Sequence, residues 1–196
     1  SRGSIVNGFQ VFTPAQWNEE RTVTIEAVDD SLDNGNATLV ISATSSSLDD
    51  LYEDLSVAEQ TITIIDDDDA GLVFGAVDGF TVTEGSAAEA STTVKLASQP
   101  TDDVTLSFGV DTSEVVMVSG ALTFTALNWN QNQTVVFRSA DDSVDDGVQN
   151  TVVSVSASSA DSNYEALSQS LAVATNDDDA VGITISRSVV EVTEGG

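Results

Sequence analysis

Cysteine and histidine are both missing from this sequence. Without cysteine there are no disulfides and no thiol chemistry. Lacking both residue types, the chain cannot assemble the usual zinc ligand sets or the Ser-His-Asp and Cys-His nucleophile arrangements. Basic residues are scarce too: Lys and Arg number 5 against 33 Asp and Glu, for a net charge of -28, and Lys95 is the only lysine. A phosphate backbone is held by clustered Lys and Arg, so nucleic acid is excluded as a partner, and anionic membrane surfaces are disfavoured on the same ground. No apolar run approaches the ~18 residues that a spanning helix needs, so no membrane-spanning segment is expected. The opening SRGSIVNGF contains no apolar core of signal-peptide length, and the chain reads as a fragment of something longer.

Hydrophobic residues make up 40% of the chain, too many for a disordered acidic polymer, so the chain should fold. Its carboxylates are concentrated where apolar alternations stop. TITIIDDDDAGLVF, at 61–74, sets Asp66, Asp67, Asp68 and Asp69 between two such runs. Neighbouring like charges repel, so something must offset the crowding. For a chain without disulfides, hard cations bound by carboxylates are the available crosslink.

Internal similarity organises the rest. FTPAQWN at 12–18 recurs as FTALNWN at 124–130, and Trp17 to Trp129 is a step of 112. The same step relates VDDSLDNG at 28–35 to ADDSVDDG at 140–147, Tyr52 to Tyr164 and Leu55 to Leu167. Further on the step shortens to 110, as DDDA at 67–70 matches DDDA at 177–180 and VTEG at 82–85 matches VTEG at 192–195. A period near 110 is the size of a domain rather than of a solenoid turn. The chain therefore parses as the later part of one repeat at 1–69, a complete repeat at 70–179 and the opening strand of a third at 180–196. Neither end falls on a boundary of this scheme, which points to a segment cut from a longer array.

Within 70–179 the patterns are short and of period two: FTV at 80–82, TTVKL at 92–96, VTLSFGV at 104–110, ALTF at 121–124, QTVVF at 133–137, TVVSVSA at 151–157 and SLAVA at 170–174. Val104, Leu106, Phe108 and Val110 share one face, the mark of a half-buried strand. About seven such strands separated by Gly, Asp, Asn and Ser clusters predict an all-β fold of tandem antiparallel immunoglobulin-like β-sandwiches, without the cysteine pair of that fold. Trp17 and Trp129 are assigned to packing in preference to sugar stacking. Tyr52 and Tyr164 take the place of corner tyrosines, whose hydroxyls bond the backbone. The triplets beginning at Asn36 and Asn132 match a glycosylation acceptor, a pattern common by chance.

A strand followed by VTEG, a mid-domain Asp-Asp with further acids three to four positions on, and a closing strand running into DDD resemble the Calx-beta repeat. That family occurs in sodium/calcium exchangers, in integrin β4 and in tandem arrays on large bacterial surface proteins. The resemblance covers nearly the whole chain, and the Trp-Asn segment is similar to bacterial array members. It implies a seven-stranded sandwich that binds Ca2+ at one tip. Its ligands would be Glu84, the mid-domain Asp141, Asp142 and Asp145 or Asp146, and the closing Asp177, Asp178 and Asp179, with Asp111 as an additional loop acid. In the first repeat the counterparts are Asp29, Asp30 and Asp33 with Asp66, Asp67, Asp68 and Asp69, and Glu194 would open a third site. Calcium accepts six to eight oxygens in forgiving geometry, which suits clustered Asp, whereas Mg2+ demands strict octahedral order. Acidic loops can also simply solubilise a protein and block edge pairing; acids confined to three recurring loop positions favour metal binding.

The function expected is non-enzymatic: a calcium-rigidified extender of a large extracellular or cell-surface protein, bacterial in origin, whose partners are neighbouring repeats. Glycoside hydrolysis by paired carboxylates is set aside for want of a cleft signal. One alternative is a filament subunit, in which the off-register ends of identical chains complete one another by strand addition. Another is a calcium-sensing tandem like that of the exchangers.

Overall fold

A computed structural model describes residues 2–184 and 193–195, and in them every regular element is a strand. No helix among the described residues is long and apolar enough to cross a membrane. The strands are β1 (Gly3–Ile5), β2 (Ile25–Ala27), β3 (Ala37–Thr44), β4 (Ser56–Ile64), β5 (Leu72–Phe74), β6 (Phe80–Thr83), β7 (Glu89–Leu96), β8 (Val104–Gly109), β9 (Val115–Met117), β10 (Leu122–Phe124), β11 (Gln133–Ser139), β12 (Gln149–Ser158) and β13 (Ser168–Asn176).

Strands β5 to β13 form a sandwich of a 5-stranded sheet, ordered β10-β8-β12-β13-β6, and a 4-stranded sheet, ordered β5-β7-β11-β9. Each of the seven alternating segments falls on one of these strands, but the sandwich has two further short ones. The first is made by a split opening strand. β5 pairs with β7, and Thr92 Oγ1 then accepts from Ala76 N (3.0 Å) and donates to Ala76 O (2.9 Å), turning the chain out of that sheet. Ala172 N donates to Val77 O at 2.9 Å, and β6 continues alongside β13 in the opposite sheet. That pairing is parallel, whereas the other ladders are antiparallel. The second extra strand, β9, lies on the far edge of β11.

Alternation builds the core. On β12, Thr151, Val153, Val155 and Ala157 point inward while the residues between them face out. They meet Val94, Leu96, Leu106, Phe124, Val135, Phe137 and Leu171, all fully buried, and Phe80 packs edge-on to Phe137 at 5.2 Å. Each such side chain contributes about 1.5–3 kcal/mol on leaving water. Trp129 packs against this cluster, in keeping with its assigned role. Tyr164 is 1% exposed; its hydroxyl accepts from Ser98 N (3.0 Å), donates to Ser98 O (2.6 Å) and lies 2.9 Å from Ser98 Oγ.

Residues 2–69 are built differently. β1 pairs with β2 and β3 with β4, and neither ladder is extended by another strand among the described residues. Ile64 is the only large hydrophobic buried in this part, whereas Phe9 (86% exposed), Trp17 (69%) and Tyr52 (57%) stand open. The packing assigned to Trp17 is therefore not seen: no described strand covers its ring. This part meets the sandwich through its turn at 30–33: Gln99 N donates to Ser31 O (2.6 Å) and Asn163 Nδ2 to Asp33 O. The opening strand expected at 180–196 falls largely on residues 185–192, outside the described residues.

Candidate metal centre

Strand direction gathers the acids. The parallel register of Thr83 with Asn176 carries both chains past their strand ends at one tip, so Glu84 follows β6 where Asp177 follows β13, and Glu84 N donates to Asn176 O at 2.9 Å. Antiparallel pairing of Ser139 with Val115 brings the turn after β11 to the loop before β9. Pairing of Gln149 with Thr175 returns the same turn to the end of β13. Segments remote in sequence thus share one end of the sandwich.

At this tip the carboxylates of Glu84, Asp142 and Asp179 each offer an oxygen within 4.8 Å of the others. Glu84 is 4% exposed and its Oε2 has no hydrogen-bond partner among the described residues; Asp179 Oδ2 and Glu114 Oε2 are likewise buried and without a partner among them. Burial pushes Glu84 above the usual carboxylate range, and the charges of Asp142, Asp177, Glu114 and Asp146 push it further. Asp179 is raised in the same way, by burial first and then by Asp178, Asp177, Asp142 and Asp141. An ungratified buried acceptor among like charges is a costly arrangement. The oxygens diverge by no more than opposite ligands of an ion with bonds of about 2.3–2.6 Å.

The surrounding acids position this group. Asp177 accepts from Gly147 N and Asp179 N, both at 2.8 Å, and those amides hold its carboxyl below the ordinary range. Asp142 Oδ1 accepts from Val144 N (2.7 Å) and Asp145 Oδ2 from Val181 N (2.8 Å). Asp178 lies against Gly85, where φ is +63° and a Cβ would stand 2.5 Å from Asp178 Oδ2; the glycine of VTEG leaves room for that carboxylate. Asp141 and Asp146 are exposed on the same turn and add to the negative field.

Asp111 is not brought into the group. Its Oδ1 accepts from Ser113 N (3.1 Å) and Ser113 Oγ (2.9 Å), bonds that lower its pKa and close a turn. The loop reaches the site through Glu114 instead. Sequence reasoning missed that residue, because nothing in the sequence singles out Glu114 over Asp111 as the acid this loop turns inward. Glu194 is exposed and belongs to no such group among the described residues.

In the first part, Asp66 Oδ2 accepts from Asn34 N (2.9 Å) and Gly35 N (2.7 Å), and Asp33 Oδ2 accepts from Ala70 N (3.0 Å). These are the bonds that Asp177 makes with Gly147 and Asp145 with Val181. Asp66 therefore corresponds to Asp177, a step of 111 rather than the 110 read by matching DDDA. The register shift between Ile41 and Ala43, which sets Ala58 and Glu59 against Ser42, takes up one residue of β4. By the corrected step Asp67 answers to Asp178 and Asp68 to Asp179, while Asp69 answers to Ala180. Asp68 is raised like Asp179, by burial and then by Asp67, Asp66, Asp29 and Asp30. Asp30 Oδ1 accepts from Leu32 N at 2.9 Å. No set of three acids converges here among the described residues as Glu84, Asp142 and Asp179 do.

No protein-family model matches the chain, and no curated protein matches it in sequence. Solved structures show similarity over part of the chain. The periplasmic chaperone SfaE is 14% identical over 58% of this chain and 60% of its own, with a TM-score of 0.43. The E. coli chaperone DraB is 13% identical over 58% of each chain (TM-score 0.42). The ASH / PapD-like domain 7 of human CEP192 is 10% identical over 56% of this chain and 87% of that one (TM-score 0.43). The match spans less than two thirds of either chaperone.

Proposed function

We propose that this chain is a segment of a tandem array of Calx-beta-like β-sandwiches on an extracellular or bacterial cell-surface protein, with a Ca2+ site at the sandwich tip and no catalytic activity. One observation carries the reading: Glu84, 4% exposed and with Oε2 unpartnered, converges with Asp142 and Asp179 within 4.8 Å. A divalent ion supplies positive charge among these carboxylates and joins acids from three separate loops. Glu84, Asp142 and Asp179 would hold it, with the Glu114 charge beside Glu84 and the Asp178 charge beside Asp179. Free calcium at ~1,000 times the dissociation constant stabilises the native state by about 4 kcal/mol. Near-millimolar affinity and an unchanged shape distinguish an extender from a calcium sensor.

The experiment is a calorimetric titration of the metal-free chain with Ca2+ and separately with Mg2+, repeated on Glu84→Gln and Asp179→Asn. A Ca2+-preferring isotherm lost in both variants is expected. An isotherm that survives both substitutions would move the site elsewhere.

The open apolar residues of the first part, Phe9 and Trp17 above all, favour a second reading, in which identical chains complete one another into a filament. Sedimentation velocity from micromolar to near-millimolar chain tests it. A concentration-independent monomer would end it.

A further inference from the structure

The turn after β2 and the turn after β11 are held by matching bonds, but one anchor differs. Val28 N donates to Arg2 O at 2.8 Å as Ala140 N donates to Glu114 O at 2.9 Å, and Gly3 pairs with Ala27 as Val115 pairs with Ser139. Arg2 therefore stands where the other tip has Glu114. The step that relates the two also sets Asn34 in the place of Asp146. Both exchanges remove negative charge from the first tip, and the first adds a cation.

That cation is engaged. Arg2 Nη2 meets Asp66 Oδ1 at 2.6 Å, and Nη1 donates to Gly35 O. One guanidinium thus grips the carboxylate that ends β4 and the carbonyl of the turn opposite it. The side chains of Arg2 and Asp66 are 21% and 7% exposed, so the pair is partly withdrawn from solvent screening. The planar guanidinium fork suits a carboxylate and a carbonyl together. The turn it secures, residues 28–35, also carries Ser31 O and Asp33 O, the acceptors through which this part meets the sandwich at Gln99 and Asn163.

We propose that Arg2 is a built-in counter-ion of the first acidic turn, keeping that turn and its joint with the sandwich seated without a bound ion, so that the two tips differ in their need for a cation. The contrast rests on the calcium reading above; the role of Arg2 does not.

Amide hydrogen exchange on the full chain, resolved by NMR, tests this. In chelator, Asn34, Gly35 and Ala70 should be as protected as with Ca2+, while Gly147 and Val181 should gain further protection when Ca2+ is added. Arg2→Gln should speed exchange at Asn34 and Gly35 about tenfold or more, the equivalent of a lost charge-assisted hydrogen bond, with Arg2→Lys in between. Unchanged protection of Val94 and Leu96 would show the sandwich intact. Loss of protection at Asn34 and Gly35 on chelating the unmodified chain would overturn the proposal, as would an Arg2→Gln variant that exchanges like the parent. If Gly147 and Val181 ignore Ca2+ while Arg2→Gln behaves as stated, the calcium reading fails and the counter-ion stands.

Discussion

Replacing one corner tyrosine at a time gives a quantitative contrast between the two parts of the chain. In Tyr164→Phe the ring remains, but Ser98 N loses its acceptor, Ser98 O loses its donor and Ser98 Oγ loses a neighbour, in a place where Ser98 is fully buried. A buried polar group left unsatisfied costs about 1–3 kcal/mol, and with some repair by water the pair should cost about 2–4 kcal/mol. At about 4 °C per kcal/mol for a sandwich of this size, the melting temperature falls by roughly 8–16 °C. Tyr52→Phe, at a residue 57% exposed, should stay within about 0.5 kcal/mol of the parent. Urea denaturation followed by far-ultraviolet circular dichroism, with and without calcium, measures both. Equal losses in the two variants would refute the reasoning, because they would require a closed core around Tyr52. A Tyr164→Phe loss under 1 kcal/mol would show that the 97–101 loop is held by other contacts.

Other perturbations probe the tip and the joint. Glu84 and Asp179 titrate above their ordinary values of 4.5 and 3.8, so in chelator they favour folding when protonated; stability should rise as pH falls from neutral toward their raised values, and the calcium-induced gain in Tm should shrink. Asp177 and Asp161 lie below 3.8, Asp161 because the amides of Thr101 and Asn163 outweigh its burial; their stabilisation is present above that value and lost as pH falls beneath it, so acid melts should turn downward there. Gly85→Ala forces a side chain into φ +63° and into Asp178; a loss of about 1–2 kcal/mol in chelator, with weaker calcium binding by calorimetry, is expected. Asn163→Ala removes the donor to Asp33 O and should widen the distribution of orientations between the two parts in small-angle scattering, with the unfolding free energy of the sandwich changed by no more than about 0.5 kcal/mol.

Period-two alternation made the long strands legible, because on β7, β8, β12 and β13 one face enters the core and the other stays wet. The short β9 and the turn at Ala76 and Val77 that splits the opening strand into β5 and β6 carry no period of their own, so both were invisible. The openness around Trp17 was equally hidden. The motif at 12–18 shares Phe, Thr, Trp and Asn with 124–130, where Phe124 is buried and Trp129 packs on the core, but burial depends on which other strands arrive to cover it.

At the tip, the sequence disclosed which loops carry charge but not which carboxylate each loop turns inward. Asp111 and Glu114 are three residues apart, and either could have been the loop's contribution. The choice is made locally: Asp111 has Ser113 two residues on, so its carboxylate closes an Asx turn, whereas Glu114 precedes the inward-facing Val115 and is drawn under the tip. The step of 110 had a similar origin, since matching identical letters slid DDDA past a register shift in β4 that leaves no mark in composition. Hydrogen bonds to Gly35 and Gly147 restore the register, because an aspartate that caps a turn is fixed in place by two amides while its neighbours in a run of four are interchangeable on paper. The same register pairs Arg2 with Glu114 and makes two turns of nearly identical sequence electrostatically unlike. A cation is thus covalently present at one tip, while the other gathers Glu84, Glu114 and Asp179 with buried oxygens directed at no donor among the described residues.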